Sequence, residues 1–313
     1  MKIVILEPLG ISEVQAAALK NKIVADGGEL VYYNTPPSGD EEKIARAQGA
    51  GIIVLANTPF RQNVLEKCPD LKFLSVAFTG VDHVDVAYCK QQGITVSNCS
   101  GYANEAVGEL VIGLVIALYR QLPAADTAVR SGKTREGLLG RELHGKKFGI
   151  VGAGAIGLQT AALARAFGCE VYAYSRTPKN VGGVKFVALD KLLAQSDIVS
   201  VHVPLTAATK GMIGAAALAK MKKTAVLINT ARGPIVDSAA LAEALSGGKI
   251  AGAAVDVFEN EPPIAANHVL LQAPHVLLAP HIGFATQEAL EKRAVIAFEN
   301  IQNWLAGKPQ NVM

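Results

Sequence analysis

The stretch FGIVGAGAIGLQTAALARAFG, Phe148 to Gly168, decides how the rest of the chain is read. Its opening residues are apolar without alternation, as in a strand buried on both faces, and LQTAALARAFG continues as a helix. Between them Gly152, Gly154 and Gly157 keep G-x-G-x-x-G spacing. In a strand–turn–helix context the first glycine permits the tight turn and the second lets the backbone approach a pyrophosphate. The third lets helix and strand pack closely. The helix start, with Ala155 and Ile156, offers N–H groups and partial positive charge to a phosphate. The plain alternative is a βα turn with incidental glycines, and the flanking elements weigh against it. The end of the following strand bears on which dinucleotide binds. An acidic residue roughly 20 residues past the glycines accepts a ribose 2′-OH. Here VYAYSRTP puts Ser175, Arg176 and Thr177 at that point. Without a carboxylate nothing repels a 2′-phosphate, and a guanidinium with two hydroxyls suits one, so NADP(H) is favoured over NAD(H). The alternative has Arg176 stacked on adenine or in solvent, with Ser175 alone on the ribose.

Outward from this stretch, short β-branched runs alternate with Ala/Leu-rich segments. Strands are predicted at Lys2–Leu6, Leu30–Tyr33, Gly51–Leu55, Phe73–Val76 and Thr95–Ser97. A second series is predicted at Phe148–Val151, Glu170–Tyr174, Lys185–Val187, Ile198–Val203, Ala225–Ile228, Ala251–Val255 and Val276–Leu278. The pattern is repeated βα, giving two doubly wound α/β units with parallel sheets. An apolar helix near Asn104–Tyr119 connects them, and a final helix, Thr286–Leu305, is free to return to the first. The polar, Gly-rich Leu122–Gly145 reads as a long surface excursion suited to an oligomer contact.

The chain has 313 residues, half of them hydrophobic and 18% charged, which excludes a disordered protein. A net charge of +3 without a basic block gives no footprint for nucleic acid or an anionic membrane. Cys68, Cys89, Cys99 and Cys169 form no Cys-x-x-Cys pair or zinc spacing, so no metal is expected and reduced thiols are. MKIVILEP reads as a first strand rather than a signal peptide. The apolar run Leu110–Tyr119 falls short of the roughly 20 residues of a membrane span. A cytoplasmic location is expected.

Three polar residues follow apolar strands of the second series, where ligands collect in such folds: Arg232, Glu261 and His281. Singly, each has a bland reading, as a helix-start ion pair, a solvated acid beside prolines and a core histidine. Together they suggest one cleft. His83, His144, His268 and His275 have no such company, and His202 ends a strand near the cofactor groove.

With GAGAIG, VHVPLT (Val201–Thr206), NTARG (Asn229–Gly233), DVFENEP (Asp256–Pro262) and PHIG (Pro280–Gly283) in this order, the chain resembles the D-isomer-specific 2-hydroxyacid dehydrogenases over essentially its whole length. The resemblance implies a flavodoxin-like substrate domain from residues 1–100 and 282–313 and a Rossmann dinucleotide-binding domain from 101–281. It implies an active site in the cleft between them and a homodimer. Arg232 becomes the anchor and polariser of a 2-keto acid, since a guanidinium binds carboxylate and carbonyl oxygens in a fixed fork. His281 becomes the acid in reduction and base in oxidation, and Glu261 orients it and favours its protonated form. Asp256 is assigned to the nicotinamide carboxamide. His202, Val203, Pro204, Thr209, Thr230, Ala231 and Gly283 complete the cofactor-binding set by the same resemblance.

On the substrate side, SVAFTGVDHVD matches the family position where backbone N–H groups of a Gly-containing turn bind the carboxylate, giving Thr79, Gly80 and Val81. The alternative there is a strand-to-helix turn with Asp82 as the cap. Asn57 ends the preceding strand, and Asn104 matches the family loosely. A small substrate such as glyoxylate or hydroxypyruvate is expected, with phosphoglycerate oxidation as the rival. A formate dehydrogenase is disfavoured, because the residue paired with its His resembles Gln, where this chain has Glu261. A dinucleotide-sensing protein on the same fold needs no acid–base set, and this chain carries one.

Overall fold

The computed structural model describes residues 1–12, 14–18, 29–260 and 263–313. Its strands are β1 (Lys2–Ile5), β2 (Glu29–Tyr32), β3 (Ala50–Leu55), β4 (Phe73–Val76), β5 (Thr95–Asn98), β6 (Lys147–Val151) and β7 (Glu170–Tyr174). They continue as β8 (Val184–Phe186), β9 (Ile198–Val201), β10 (Val226–Asn229), β11 (Gly252–Val255) and β12 (Val276–Leu278). Among the described residues they form two all-parallel sheets, ordered β2-β1-β3-β4-β5 and β12-β11-β10-β9-β6-β7-β8. The first has the flavodoxin-like order. The second, counted from β6, has the Rossmann order with one more parallel strand beyond it.

The non-alternating apolar runs are explained by burial on both faces. Every residue of β3, β4, β9, β10 and β11 is buried. Ile52, Ile53, Val54 and Leu55 are fully buried, each contributing roughly 1.5–3 kcal/mol of transfer free energy.

The chain divides into two compact units, Met1–Tyr102 with Ala285–Met313, and Ala103–Phe284. PHIG therefore stays with the second unit throughout, rather than parting after His281. The physical reason is a pair of hydrogen bonds, because Asp256 accepts the N–H groups of both Ile282 and Gly283.

The helix Asn104–Tyr119 lies within the second unit and packs on the helix Ala155–Ala166. Gly108 makes the approach possible: a Cβ there would sit 3.2 Å from Gln159 and Leu163 side-chain atoms. The excursion after it is not all loop, since Leu122–Arg130 is helical, entered through Gln121 at φ 51 with proline in the first turn. No residue of that helix is buried, although Leu122, Ala125 and Val129 stand at i, i+3 and i+7, and its apolar side chains Leu122 and Val129 are left exposed. The final helix spans Gln287–Leu305, with the Thr286 hydroxyl accepting the Ala289 N–H as its cap. Among the described residues, no single helix is long and apolar enough to cross a membrane.

Candidate active site

The glycine turn is built by contacts that exclude side chains at two positions and leave the third open. Gly152 has φ 107, and a Cβ there would lie 2.6 Å from the carbonyl carbon of His202. A Cβ on Gly157 would lie 2.1 Å from the Gly152 carbonyl oxygen, so only glycine lets the helix start that close to the strand. Around Gly154 nothing stands within 4 Å of an added Cβ. The helix Ala155–Ala166 starts there with no side chain capping it, so the opening N–H groups, with Ala155 and Ile156, are left for a ligand. The turn sits where the strand order reverses. Gly152 N–H bonds the Tyr174 carbonyl at 2.9 Å, and His202 N–H bonds the Val151 carbonyl at 2.7 Å.

Tyr174 ends β7, so Ser175, Arg176 and Thr177 begin the adjoining loop. Ser175 is half-buried, while Arg176 and Thr177 are exposed. On the other side, β9 stops at Val201 and not Val203, and His202 to Thr209 form a closed loop. Thr209 donates its hydroxyl to the Pro204 carbonyl at 2.6 Å and accepts the Thr206 N–H at 2.8 Å. Burial pushes the His202 imidazole down to about 4, so it is neutral at pH 7, with its Nε2 2.8 Å from the Ser200 hydroxyl. The Thr230 hydroxyl is buried and has no hydrogen-bond partner among the described residues, as expected of a group kept for a ligand. An open glycine flanked by two crowded ones, an uncapped helix start and this hydroxyl fit a dinucleotide.

Arg232, Asp256 and His281 follow β10, β11 and β12, three neighbouring parallel strands. Asn229 is buried at the end of β10, accepts the Ala231 N–H at 3.1 Å and donates to the Arg232 carbonyl at 3.1 Å. It thereby shapes the turn that carries Arg232, half-buried and extended at φ −150 and ψ 140, with Nη1 donating to the Ala231 carbonyl at 2.8 Å. Gly233 follows, where a Cβ would lie 2.0 Å from the backbone of Phe258. The NTARG and DVFENEP loops are thus packed backbone on backbone. Neither Asn229 nor Gly233 was singled out by sequence reasoning. The motif contained both, and only their contacts reveal the work they do.

Asp256 is fully buried and holds the next loop. Its two carboxylate oxygens accept the N–H groups of Ile282 and Gly283, each at 2.8 Å, and its carbonyl accepts the His281 N–H at 2.8 Å. His281 sits at φ 55, in the left-handed region, and its ring meets Phe284 edge to face at 5.5 Å. Asp256 was expected at the nicotinamide, and what its carboxylate demonstrably does is brace the segment carrying His281. Glu261 lies outside the described residues. Of the remaining histidines, His268 hydrogen-bonds Glu259 at 3.0 Å and caps a short 3-10 turn.

The first unit holds the other predicted residues. Asn57 and Thr79 are exposed, and Gly80 and Val81 half-buried, at the C-terminal ends of β3 and β4. Asn98 donates to the Thr79 carbonyl at 2.8 Å. All four cysteines are buried, and burial pushes the Cys99 thiol up to about 12.

Residues 112–283 match the family described as D-isomer specific 2-hydroxyacid dehydrogenase, NAD binding domain. The chain belongs to the D-isomer-specific 2-hydroxyacid dehydrogenases. It is an NAD(P)-dependent enzyme that moves hydride between a nicotinamide cofactor and C2 of a 2-hydroxy or 2-keto acid. This dehydrogenase is 43% identical over 282 residues to a glycerate dehydrogenase of Methylorubrum extorquens, covering 87% of this chain and 88% of that one. It is 40% identical to a glyoxylate reductase of Thermofilum pendens, covering 87% and 83% of the two chains. Among solved structures it resembles an acyclic imino acid reductase (Bsp5) in complex with NADPH and D-Arg. That likeness has a TM-score of 0.91 at 33% identity and covers 100% of both chains.

Proposed function

We propose that this dehydrogenase reduces a small 2-keto acid, of the glyoxylate or hydroxypyruvate type, with NADPH favoured over NADH. The observation that carries the reading is the convergence at one sheet edge of the open glycine turn, the Arg232 loop and the Asp256-braced His281. When bound, the nicotinamide supplies the hydride that reduces C2. Arg232 binds the carboxylate and polarises the carbonyl through its guanidinium fork. His281 gives its proton to the C2 oxygen during reduction and recovers one during oxidation. Glu261 is assigned to orienting that imidazole, and Asn57 with the N–H groups of Thr79, Gly80 and Val81 to the substrate carboxylate. The unit Met1–Tyr102 with Ala285–Met313 is the substrate domain in this reading, and the unit Ala103–Phe284 the dinucleotide domain.

Two observations support NADPH. No carboxylate follows β7 to repel a 2′-phosphate, and Arg176 is exposed beside Ser175 and Thr177. The names of the glycerate dehydrogenase and glyoxylate reductase relatives support a small acid. The reading includes a cytoplasmic homodimer. Leu122, Val129 and Leu139, 49%, 75% and 93% exposed, support self-association through the segment after Tyr119. The test is steady-state oxidation of NADPH and NADH in parallel with glyoxylate, hydroxypyruvate, pyruvate and a bulky aromatic keto acid. Higher kcat/KM with NADPH and a small acid is expected. A clear NADH preference overturns the 2′-phosphate assignment, and tight cofactor binding without turnover of any acid points to a sensor.

A further inference from the structure

Within the first unit, a buried cation lies where loops gather at the C-terminal ends of β1, β4 and β5. Arg293 comes from the middle of the final helix and is 4% exposed. It donates an Nη2 hydrogen to the Leu9 carbonyl at 2.7 Å, in the loop after β1. Its guanidinium lies over the Phe78 ring at 5.0 Å and the Tyr102 ring at 5.9 Å, and those rings meet edge to face at 6.1 Å. Phe78 follows β4 and immediately precedes Thr79. Its carbonyl accepts the Cys99 N–H at 2.9 Å, and the Cys99 thiol in turn points to the Arg293 carbonyl at 3.5 Å.

A second buried charge holds another loop of the same unit. Burial pulls the Arg293 guanidinium below its ordinary value, and Tyr102, Cys99 and Glu7 act against that pull. Glu7 is itself buried at the end of β1, and its Oε1 accepts the N–H groups of Ala56 at 2.8 Å and Thr58 at 2.9 Å. Asn57 is the residue between them. The cation thus fixes the segment leading into Thr79–Val81, while the anion fixes the two amides that flank Asn57. The desolvation cost of the buried guanidinium is offset by its Nη2 bond to Leu9 and by the Phe78 and Tyr102 rings against its planar face.

We infer that Arg293 and Glu7 are a pair of positioning residues that hold the two substrate-binding segments, around Asn57 and Thr79–Val81, in their binding shape. Neither is assigned to contact with substrate or cofactor. The inference rests on the reading of those segments as the carboxylate-binding side of the enzyme. It predicts that loosening the pair weakens substrate affinity, leaving saturated chemistry and the cofactor site of the other unit largely intact.

The test uses the full-length protein with Arg293→Met, Arg293→Lys, Glu7→Gln and the double variant Glu7→Gln/Arg293→Met. KM and kcat are measured for the best 2-keto acid, with the NADPH dissociation constant, Tm and hydrogen exchange of the segments 56–58 and 77–82. Arg293→Met is expected to raise KM about tenfold or more, with kcat changed by less than about threefold and NADPH binding unmoved. Exchange in both segments should quicken. Arg293→Lys keeps charge but not the fork, so it should fall between wild type and Arg293→Met. The double variant removes both charges together and should lose less Tm than the sum of the single variants. A lowered Tm with unchanged KM and unchanged exchange at 56–58 and 77–82 would reduce the pair to ordinary core structure and overturn the inference. If wild-type protein turns over no 2-keto acid, the functional reading falls by itself, and the exchange data still decide whether the pair holds the loops.

Discussion

Replacing Asp256 with asparagine tests the link between backbone geometry and catalysis most sharply. The carboxylate is fully buried and accepts two backbone N–H groups, from Ile282 and Gly283, each at 2.8 Å. An amide of the same shape keeps one acceptor and turns an N–H₂ group toward the second donor. One hydrogen bond to a charged acceptor, about 1.5–3 kcal/mol, is lost, and one buried N–H is stranded at a cost of about 1–3 kcal/mol. A loss of about 3 kcal/mol is therefore expected, or roughly 6–12 °C in Tm for a unit of this size. The consequence for chemistry follows from His281, at φ 55, because a left-handed non-glycine residue persists only while its surroundings impose it. Once its loop slackens, the imidazole relaxes away from the productive position, and misplacement by about 1 Å costs on the order of a hundredfold. The assay is NADPH oxidation with the best 2-keto acid beside thermal unfolding. An Asp256→Asn enzyme with kcat within about threefold of wild type and unchanged Tm would refute the bracing role.

Three further outcomes follow from other parts of the site. Gly154→Ala should leave Tm nearly unchanged while weakening NADPH binding about tenfold, whereas Gly157→Ala, with a Cβ 2.1 Å from a carbonyl oxygen, should destabilise the fold itself; equilibrium unfolding and fluorescence titration separate the two. Ser175→Asp with Arg176→Ala should shift the kcat/KM ratio toward NADH by about one to two orders of magnitude, the worth of one charge-assisted bond exchanged for a repulsion. The folded His202 value of about 4 lies below the unfolded 6.5, so the unfolded chain binds the extra proton between those values. This stabilisation is present above pH 6.5 and lost as pH falls toward 4, by up to about 3 kcal/mol, and His202→Asn should flatten that part of a Tm–pH profile relative to wild type.

The parallel sheets are legible because their strands are buried on both faces and announce themselves as unbroken apolar runs such as IIVL and AVLI. The predicted strand Ile198–Val203 runs two residues past β9, since Val203 extends the apolar pattern beyond His202 and only the turn of His202 against Gly152 ends the strand. The helix Leu122–Arg130 is hidden for another reason, since it spans only nine residues and runs straight into the polar, Gly-rich stretch that dominates the reading of Leu122–Gly145. At the proposed site, residue types and order single out Arg232 and His281 as candidates, while the forces that hold them do not show in the sequence. Asp256 reads as one acid in a motif, and its grip on two amides 26 and 27 residues later is a property of adjacent strands. Glu7 and Arg293 lie at opposite ends of the chain, and no local pattern relates them.

His281 is proposed to exchange the proton at the C2 oxygen while the glycine turn holds the cofactor independently of it. The direct measurement is single-turnover and steady-state reduction of glyoxylate and hydroxypyruvate by His281→Ala, with NADPH affinity measured on the same preparation. A fall of about 10²–10⁴ in kcat with NADPH affinity unchanged is predicted, the usual worth of a positioned general acid. Turnover within about tenfold of wild type would contradict the claim and require another proton donor at that sheet edge.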